Sequence, residues 1–269
     1  MTDQAATEDG VNPPVVYEVE NGIATLTLNR PDERNVMNVE TMQALHRGLL
    51  QARSDDNVRV VVITGSGNTF CAGADLKGAS TSSADGEQWS GPKAIVHVLE
   101  AILECPKPTV ARVQGHVAGG GNGLIAACDL SVAVDTARFA FSEVRLGLAP
   151  AVISVVCLAR MNVADGYELF LTGERVSAQR MKEAGMLNYV VAADGLDGAV
   201  TGLTDQLRLG GPQALAATRE LLRNVRTLSR SDAFEWTSDM STRLFGSAEA
   251  AAGMNAFLNK QSPPWVASS

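Results

Sequence analysis

Val15 to Asn21 and Ile23 to Asn29 alternate apolar and polar residues on either side of Asn21-Gly22. A period of two broken by that dipeptide predicts a β-hairpin. From Asn38 the period lengthens. Met42, Leu45, Leu49 and Ala52 share one helical face and Asn38 is placed to cap it, so a helix is expected as far as Ser54. Arg59 to Thr64 is a continuous apolar run, as in a strand covered on both faces. Residues 78–91 are rich in Gly, Ser, Ala and Asp and read as a surface loop. A helix is expected from Pro92 to Glu104. Pro106-Lys107-Pro108 ends it and opens a β-rich run to Val113. Gly119, Gly120 and Gly121 then precede a short apolar helix, Leu124 to Ala127. Short strands fit Leu130 to Val134 and Ala137 to Phe141, and the chain turns helical after Pro150. Ser177 caps a turn from Ala178 to Ala184, Gly185 ends it, and Leu187 to Val191 is a last strand. Residues 195–260 read as helical throughout, broken at Gly210-Gly211-Pro212. Strands alternating with helices imply an α/β core with mainly parallel pairing, followed by an α-helical C-terminal region.

The chain has 269 residues, 45% hydrophobic and 19% charged, an ordinary globular composition with material for a large core. No apolar run reaches the ~18 residues of a membrane span. Residues 1–14 are polar, lack the basic start and apolar segment of a secretory signal, and read as a loose tail. A net charge of −8 argues against nonspecific nucleic-acid binding, which needs a basic face. Cys71, Cys105, Cys128 and Cys157 are far apart among apolar residues, fit no metal spacing, and read as reduced, buried thiols of a cytoplasmic protein. The three histidines are scattered, so no histidine-cluster metal site is expected.

Three glycines between a strand and a helix start suggest a backbone that something approaches closely, with free N–H groups facing negative charge. A tight turn is the plainer alternative. A second strand-to-glycine segment is Ile63-Thr-Gly-Ser-Gly-Asn-Thr-Phe-Cys-Ala-Gly-Ala-Asp-Leu-Lys77. A dinucleotide fingerprint fails there, because Phe70 stands where a third glycine belongs and no helix opens. Its small residues, Cys71-Ala-Gly-Ala-Asp75, are the useful part, with Asp75 as a possible helix cap.

Together, Phe70-Cys-Ala-Gly-Ala-Asp-Leu-Lys77, Gly115…Ala-Gly-Gly-Gly…Ala-Cys-Asp129 and Phe139-Ala-Phe-Ser-Glu-Val-Arg-Leu-Gly-Leu-Ala-Pro150 resemble the enoyl-CoA hydratase/isomerase (crotonase) family in order and spacing. The likeness runs from Val15 to Lys260. It implies ββα repeats coiled into a spiral core over residues 15–194, a helical oligomerisation region over 195–269 forming a trimer or a dimer of trimers, and acyl-CoA thioesters as substrates. Coenzyme A enters as part of the substrate, so no separate cofactor, metal, nucleic acid or membrane is implied. By motif position, the backbone N–H groups of Ala74 and Gly120 form an oxyanion hole for the thioester carbonyl. Glu143 matches one of two glutamates of the family's hydratases. The other would stand at position 123, which is Gly123.

That departure leaves the reaction open. With Glu143 between Phe139/Phe141 and Leu146/Leu148, an apolar setting is expected to raise its pKa and suit proton transfer; a surface salt bridge is the alternative. One glutamate suffices for a Δ3,Δ2-enoyl-CoA isomerase. It also suffices for a hydratase whose water is held elsewhere, with Asp85, Glu87 or His97 as candidate bases. Asn122 is adjacent but expected to face away. Gly123→Glu is expected to raise hydration of short straight enoyl-CoAs, or else to show that Gly123 makes room for a bulkier acyl group. The Ala149-Pro-Ala-Val-Ile-Ser154 and Gly-Asn-Gly-Leu segments look most like the methylglutaconyl-CoA hydratase-like branch, which favours a hydratase over an isomerase. A CoA thioester hydrolase and a non-catalytic acyl-CoA-binding protein are weaker alternatives. The resemblance further implies CoA contacts from Arg34, Ala72, Asp75, Leu76, Lys77 and Gly119. Phe257 and Lys260 are implied to reach the nucleotide, often across a subunit boundary.

Overall fold

The computed structural model describes residues 12–75, 89 and 92–266. The hairpin is present as β1 (Val15–Glu20) and β2 (Ile23–Leu28), antiparallel about Asn21-Gly22. Helix α1 (Val39–Ser54) begins where Asn38 accepts the Thr41 N–H at 2.9 Å and buries Met42, Leu45, Leu49 and Ala52. Strand β3 (Val60–Gly65) is buried at every position. Then follow β4 (Thr69–Cys71), α2 (Pro92–Glu104), β5 (Thr109–Val113), β6 (His116–Ala118), α3 (Gly120–Ala127), β7 (Leu130–Val134) and β8 (Arg138–Ala140). A 3-10 segment (Ser142–Leu146) leads to α4 (Ala151–Cys157), α5 (Val163–Thr172), β9 (Val176–Ser177), α6 (Ala178–Glu183) and β10 (Tyr189–Val191). The C-terminal helices are α7 (Leu196–Leu209), α8 (Pro212–Asn224), α9 (Arg230–Phe245) and α10 (Ala248–Leu258).

These strands form two sheets. One runs β1-β2-β3-β5-β7-β10, parallel from β2 onward; the other runs β4-β6-β8-β9, parallel through β8. Each of β3, β5 and β7 in the first sheet is followed by β4, β6 or β8 in the second, and then by helix. The chain thus coils as ββα units, and each turn of the coil sets its second-sheet strand beside the last. Of the second sheet, the strand expected over Ala137 to Phe141 is present as β8, whereas β4, β6 and β9 are too short to carry a readable period.

The C-terminal stretch is not one helix pair. Besides Gly210-Gly211, it breaks at Val225–Ser229 and at Gly246-Ser247, where Ser229 and Ser247 cap the helices that follow. Helix α7 lies on the first sheet through buried Leu196, Val200 and Thr204. Arg219 of α8 ties the next helix to the core: its Nε meets Asp129 at 2.5 Å and its Nη2 meets the Ile102 carbonyl at 3.2 Å. Helices α9 and α10 bury only Met240 and Ala256. No helix among the described residues is long and apolar enough to cross a membrane.

Candidate active site

Three backbone segments converge. The first is Arg30 to Met37, in which Arg34 and Asn35 adopt left-handed backbone, φ 56° and 53°. Asn35 is wholly buried and makes this turn affordable. Its Nδ2 donates to the Ser66 and Thr69 carbonyls at 2.9 and 2.7 Å, and its Oδ1 accepts the Arg30 N–H at 2.9 Å. The second segment, Ala72 to Asp75, lies alongside. The Ala72 N–H donates to the Arg34 carbonyl at 3.0 Å and the Met37 N–H to the Gly73 carbonyl at 2.8 Å, and Met37 bridges Ala74 in parallel.

The third segment is Ala118 to Gly121. At Gly73 (φ 89°) a Cβ would come 3.0 Å from the Ala118 carbonyl oxygen; at Gly119 (φ 51°) it would come 3.7 Å from the Gly73 Cα. The two segments therefore meet backbone to backbone, which side chains at these two positions would prevent. The Gly119 N–H is spent on the Ala140 carbonyl at 3.1 Å. Gly120 is the first residue of α3, which starts four residues earlier than the expected Leu124, so its N–H is one of the unbonded donors of a helix N-terminus. Among the described residues neither the Ala74 nor the Gly120 N–H donates a hydrogen bond.

Glu143 lies one step beyond β8, in the first turn of the 3-10 segment. A Cβ on Gly119 would lie 3.3 Å from its Oε1, so the carboxyl rests against the turn that carries Gly120. Its Oε2 is buried without a partner. Burial pushes its pKa above the ordinary carboxylate range, opposed only by its own backbone N–H. The apolar setting comes from one side only. Phe139 and Phe141 are buried, and Phe141 packs on Phe170 with ring centroids 4.3 Å apart, but Leu146 and Leu148 are exposed.

The space at Gly123 is not vacant. A Cβ there would lie 2.6 Å from Ile153 Cγ2, 3.1 Å from Ile153 Cβ and 3.6 Å from Leu99 Cδ2. A side chain starting at this position would meet α4 and α2 of the same chain from its first carbon. Ile153 did not stand out as a contact of this position, and Asn122, expected to face away, is instead buried with its side-chain amide on the Gly119 and Ala140 carbonyls. A lone Asn inside an otherwise Gly, Ala and Leu helix was the available signal for the latter.

The other expected residues are dispersed. Arg34 is exposed, with no ion pair among the described residues, one hydrogen bond away from Ala72. His97 packs with His46 and Trp89 in a ring cluster between α1 and α2. Leu76, Lys77, Asp85, Glu87 and nearly all of the expected loop lie outside the described residues. Phe257 is 83% exposed, and the chain beyond α10 is tied to the start of β3. Arg59 there donates to the Trp265 and Gly210 carbonyls, both at 2.7 Å, and the Trp265 indole donates to the Leu209 carbonyl at 3.0 Å. Within one protomer, Phe257 and Lys260 are thus not brought to Ala74 and Gly120. A cleft of about 460 Å³ lined by Arg219, Arg223 and Arg243 lies beside Asp129, past the far end of α3 from Gly120.

Two unbonded N–H groups beside a protonatable, half-buried carboxyl suit chemistry that builds charge on a carbonyl oxygen while a proton moves at carbon. Residues 18–268 match the family model for enoyl-CoA hydratase/isomerase. The chain is 30% identical to enoyl-CoA hydratase EchA19 of Mycobacterium tuberculosis over 96% of its length and 98% of that protein. It is 32% identical to carnitinyl-CoA dehydratase of Proteus mirabilis over 90% of its length and 94% of that protein. Its fold is similar to a crystal structure of enoyl-CoA hydratase from Mycobacterium smegmatis, with a TM-score of 0.87 and 31% identity over 94% of this chain and 99% of that one.

Proposed function

The chain belongs to the enoyl-CoA hydratase/isomerase family, and from that premise we propose that it adds water across the double bond of a 2-enoyl-CoA. The observation that carries this reading is the Glu143 carboxyl, with its raised pKa and unpartnered Oε2, held against the turn that presents the Gly120 N–H. Addition of hydroxide character at the β-carbon drives electron density onto the thioester oxygen. The Ala74 and Gly120 N–H groups stabilise that charge, each worth roughly 3–4 kcal/mol where preorganised. Glu143 delivers its proton to the α-carbon and takes back the one that the attacking water gives up, so that one carboxyl closes the proton balance. Arg34, Ala72, Asp75, Leu76, Lys77 and Gly119 are proposed to contact the CoA portion, which is substrate and not cofactor. Support from relatives is that two are named as a hydratase and a dehydratase of CoA esters. A branched acyl group, as in the methylglutaconyl-CoA hydratase-like branch, is the narrower form of the proposal.

A second reading is a Δ3,Δ2-enoyl-CoA isomerase, favoured by one observation: Ile153 closes the position of a second carboxylate. Incubation with 2-enoyl- and 3-enoyl-CoAs in isotopically labelled water separates the two. Label in a 3-hydroxyacyl product supports hydration. Double-bond migration with exchange at carbon and no hydroxyl overturns it. In either reaction Glu143→Gln abolishes turnover while CoA-ester binding persists; full activity in that variant removes Glu143 from the mechanism.

The protein is proposed to act as a trimer or a dimer of trimers in the cytoplasm. Val163, Tyr167 and Leu171 on α5, and Phe234, Phe245, Phe257 and Leu258 on α9 and α10, are large apolar side chains that a lone protomer leaves in water. A neighbouring copy is also the route by which Phe257 and Lys260 reach a CoA nucleotide. Sedimentation as a monomer would overturn this assembly. The four free, buried cysteines accord with a reducing compartment.

A further inference from the structure

We propose that Asn122 is a positioning residue that sets Glu143 against the Gly120 N–H, an inference that rests on the assignment of those two groups above. Asn122 is wholly buried in the first turn of α3. Its Nδ2 donates to two carbonyls, Ala140 at 2.9 Å and Gly119 at 3.3 Å. Ala140 ends β8, which delivers Glu143 a few residues on. Gly119 is the residue before Gly120. One side-chain amide thus fastens the element that supplies the carboxyl to the turn that supplies the N–H donor.

Folding does not need these bonds. The Ala140 carbonyl already accepts the Gly119 N–H at 3.1 Å, and the Gly119 carbonyl already accepts the Asn122 N–H at 3.0 Å. The amide adds a second hydrogen bond to acceptors that backbone donors satisfy. It also brings a cost, because its Oδ1 is buried with no donor, and a buried acceptor left unmade is destabilising. A leucine has the same branching and nearly the same size without the orphaned oxygen. For stability alone the apolar residue is the better choice. What the asparagine adds is a fixed separation between two groups whose misplacement is expensive in rate.

The test compares wild type, Asn122→Leu, Asn122→Ala and Glu143→Gln on the enoyl-CoA that wild type turns over fastest. Expected for Asn122→Leu is an unchanged or higher Tm, a kcat lower by about tenfold to a hundredfold and a KM within about twofold. Asn122→Ala, which cannot overpack, shows the same split between kcat and KM. An active Glu143→Gln overturns the site assignment beneath the inference. An inactive Glu143→Gln beside an Asn122→Leu enzyme with wild-type kcat overturns the inference alone. Loss of folding or of Tm in both Asn122 variants, with activity falling only in step, also overturns it, since the amide then serves packing.

Discussion

Introducing a glutamate at Gly123 is the sharpest test of how the acyl end of the site is built. An added Cβ lies 2.6 Å from Ile153 Cγ2, about 1 Å inside the optimal carbon–carbon separation of roughly 3.5–4.0 Å. That methyl is one bond from the Ile153 branch point, itself 3.1 Å from the added Cβ, so no flexible tail can swing away. Overpacking of this kind costs about 1–3 kcal/mol. Relief from glycine's helix penalty returns roughly 1 kcal/mol. The carboxyl, enclosed by Ile153 and Leu99, forfeits about 1–3 kcal/mol more if it finds no donor. Gly123→Glu should therefore destabilise by about 1–5 kcal/mol, a Tm fall on the order of 2–20 °C at ~2–4 °C per kcal/mol. It should lower hydration instead of raising it. Ile153 is 4% exposed, so Ile153→Ala alone costs about 2–5 kcal/mol by emptying its place. In the double variant the glutamate methylenes fill that space, and the two changes should couple by about 2 kcal/mol in favour of the pair. Thermal unfolding of the four proteins measures the cycle. Additivity within about 0.5 kcal/mol, or a Gly123→Glu protein with wild-type Tm, would refute the claim that Ile153 stands in for the missing side chain.

Glu143 makes stability depend on pH in an unusual direction for a carboxylate. Its folded pKa is raised above 4.5 by burial, so the folded state holds its proton longer than the unfolded chain and stability declines as pH climbs from the unfolded pKa through the folded one. The Tm advantage of Glu143→Gln over wild type should grow across that window in differential scanning fluorimetry and then level off; a constant difference would contradict the burial argument. Arg34→Ala should leave Tm within about 1 °C, since an exposed surface cation contributes little, and raise KM for the CoA ester by about tenfold with an effect that shrinks in high salt. An unchanged KM at low salt would remove Arg34 from the CoA contacts.

Much of the fold was legible because its long elements carry their own periodicity and caps. Asn38 and the Met42–Leu45–Leu49–Ala52 face locate α1 to the residue, and the uninterrupted apolar run at β3 signals a strand covered on both sides. Of the second sheet only β8 was legible, in the run Ala137 to Phe141; β4 and β6 hold three residues each and exist by pairing with their neighbours. The breaks at Val225–Ser229 and Gly246 passed unnoticed because the surrounding residues are good helix formers, and only the serine caps mark them. The glycines of the site could be read as close approach, yet not what approached. Gly73 and Gly119 face each other, whereas Gly123 faces Ile153, thirty positions along the chain.

Arg34 and Ala74 ride on two ribbons stitched rung by rung, from the Ala72–Arg34 hydrogen bond to the Met37–Gly73 hydrogen bond, with Asn35 riveting the first ribbon to the loop beneath. Such a truss does not flex at one end alone. A pull on the Arg34 turn is delivered to the Ala74 amide, so with the contacts proposed for these two residues the handle and the working tip of a long substrate would be gripped by one part. A thioester cut short of its phosphates would then surrender turnover as well as grip, because the energy that squares the tip is collected at the handle.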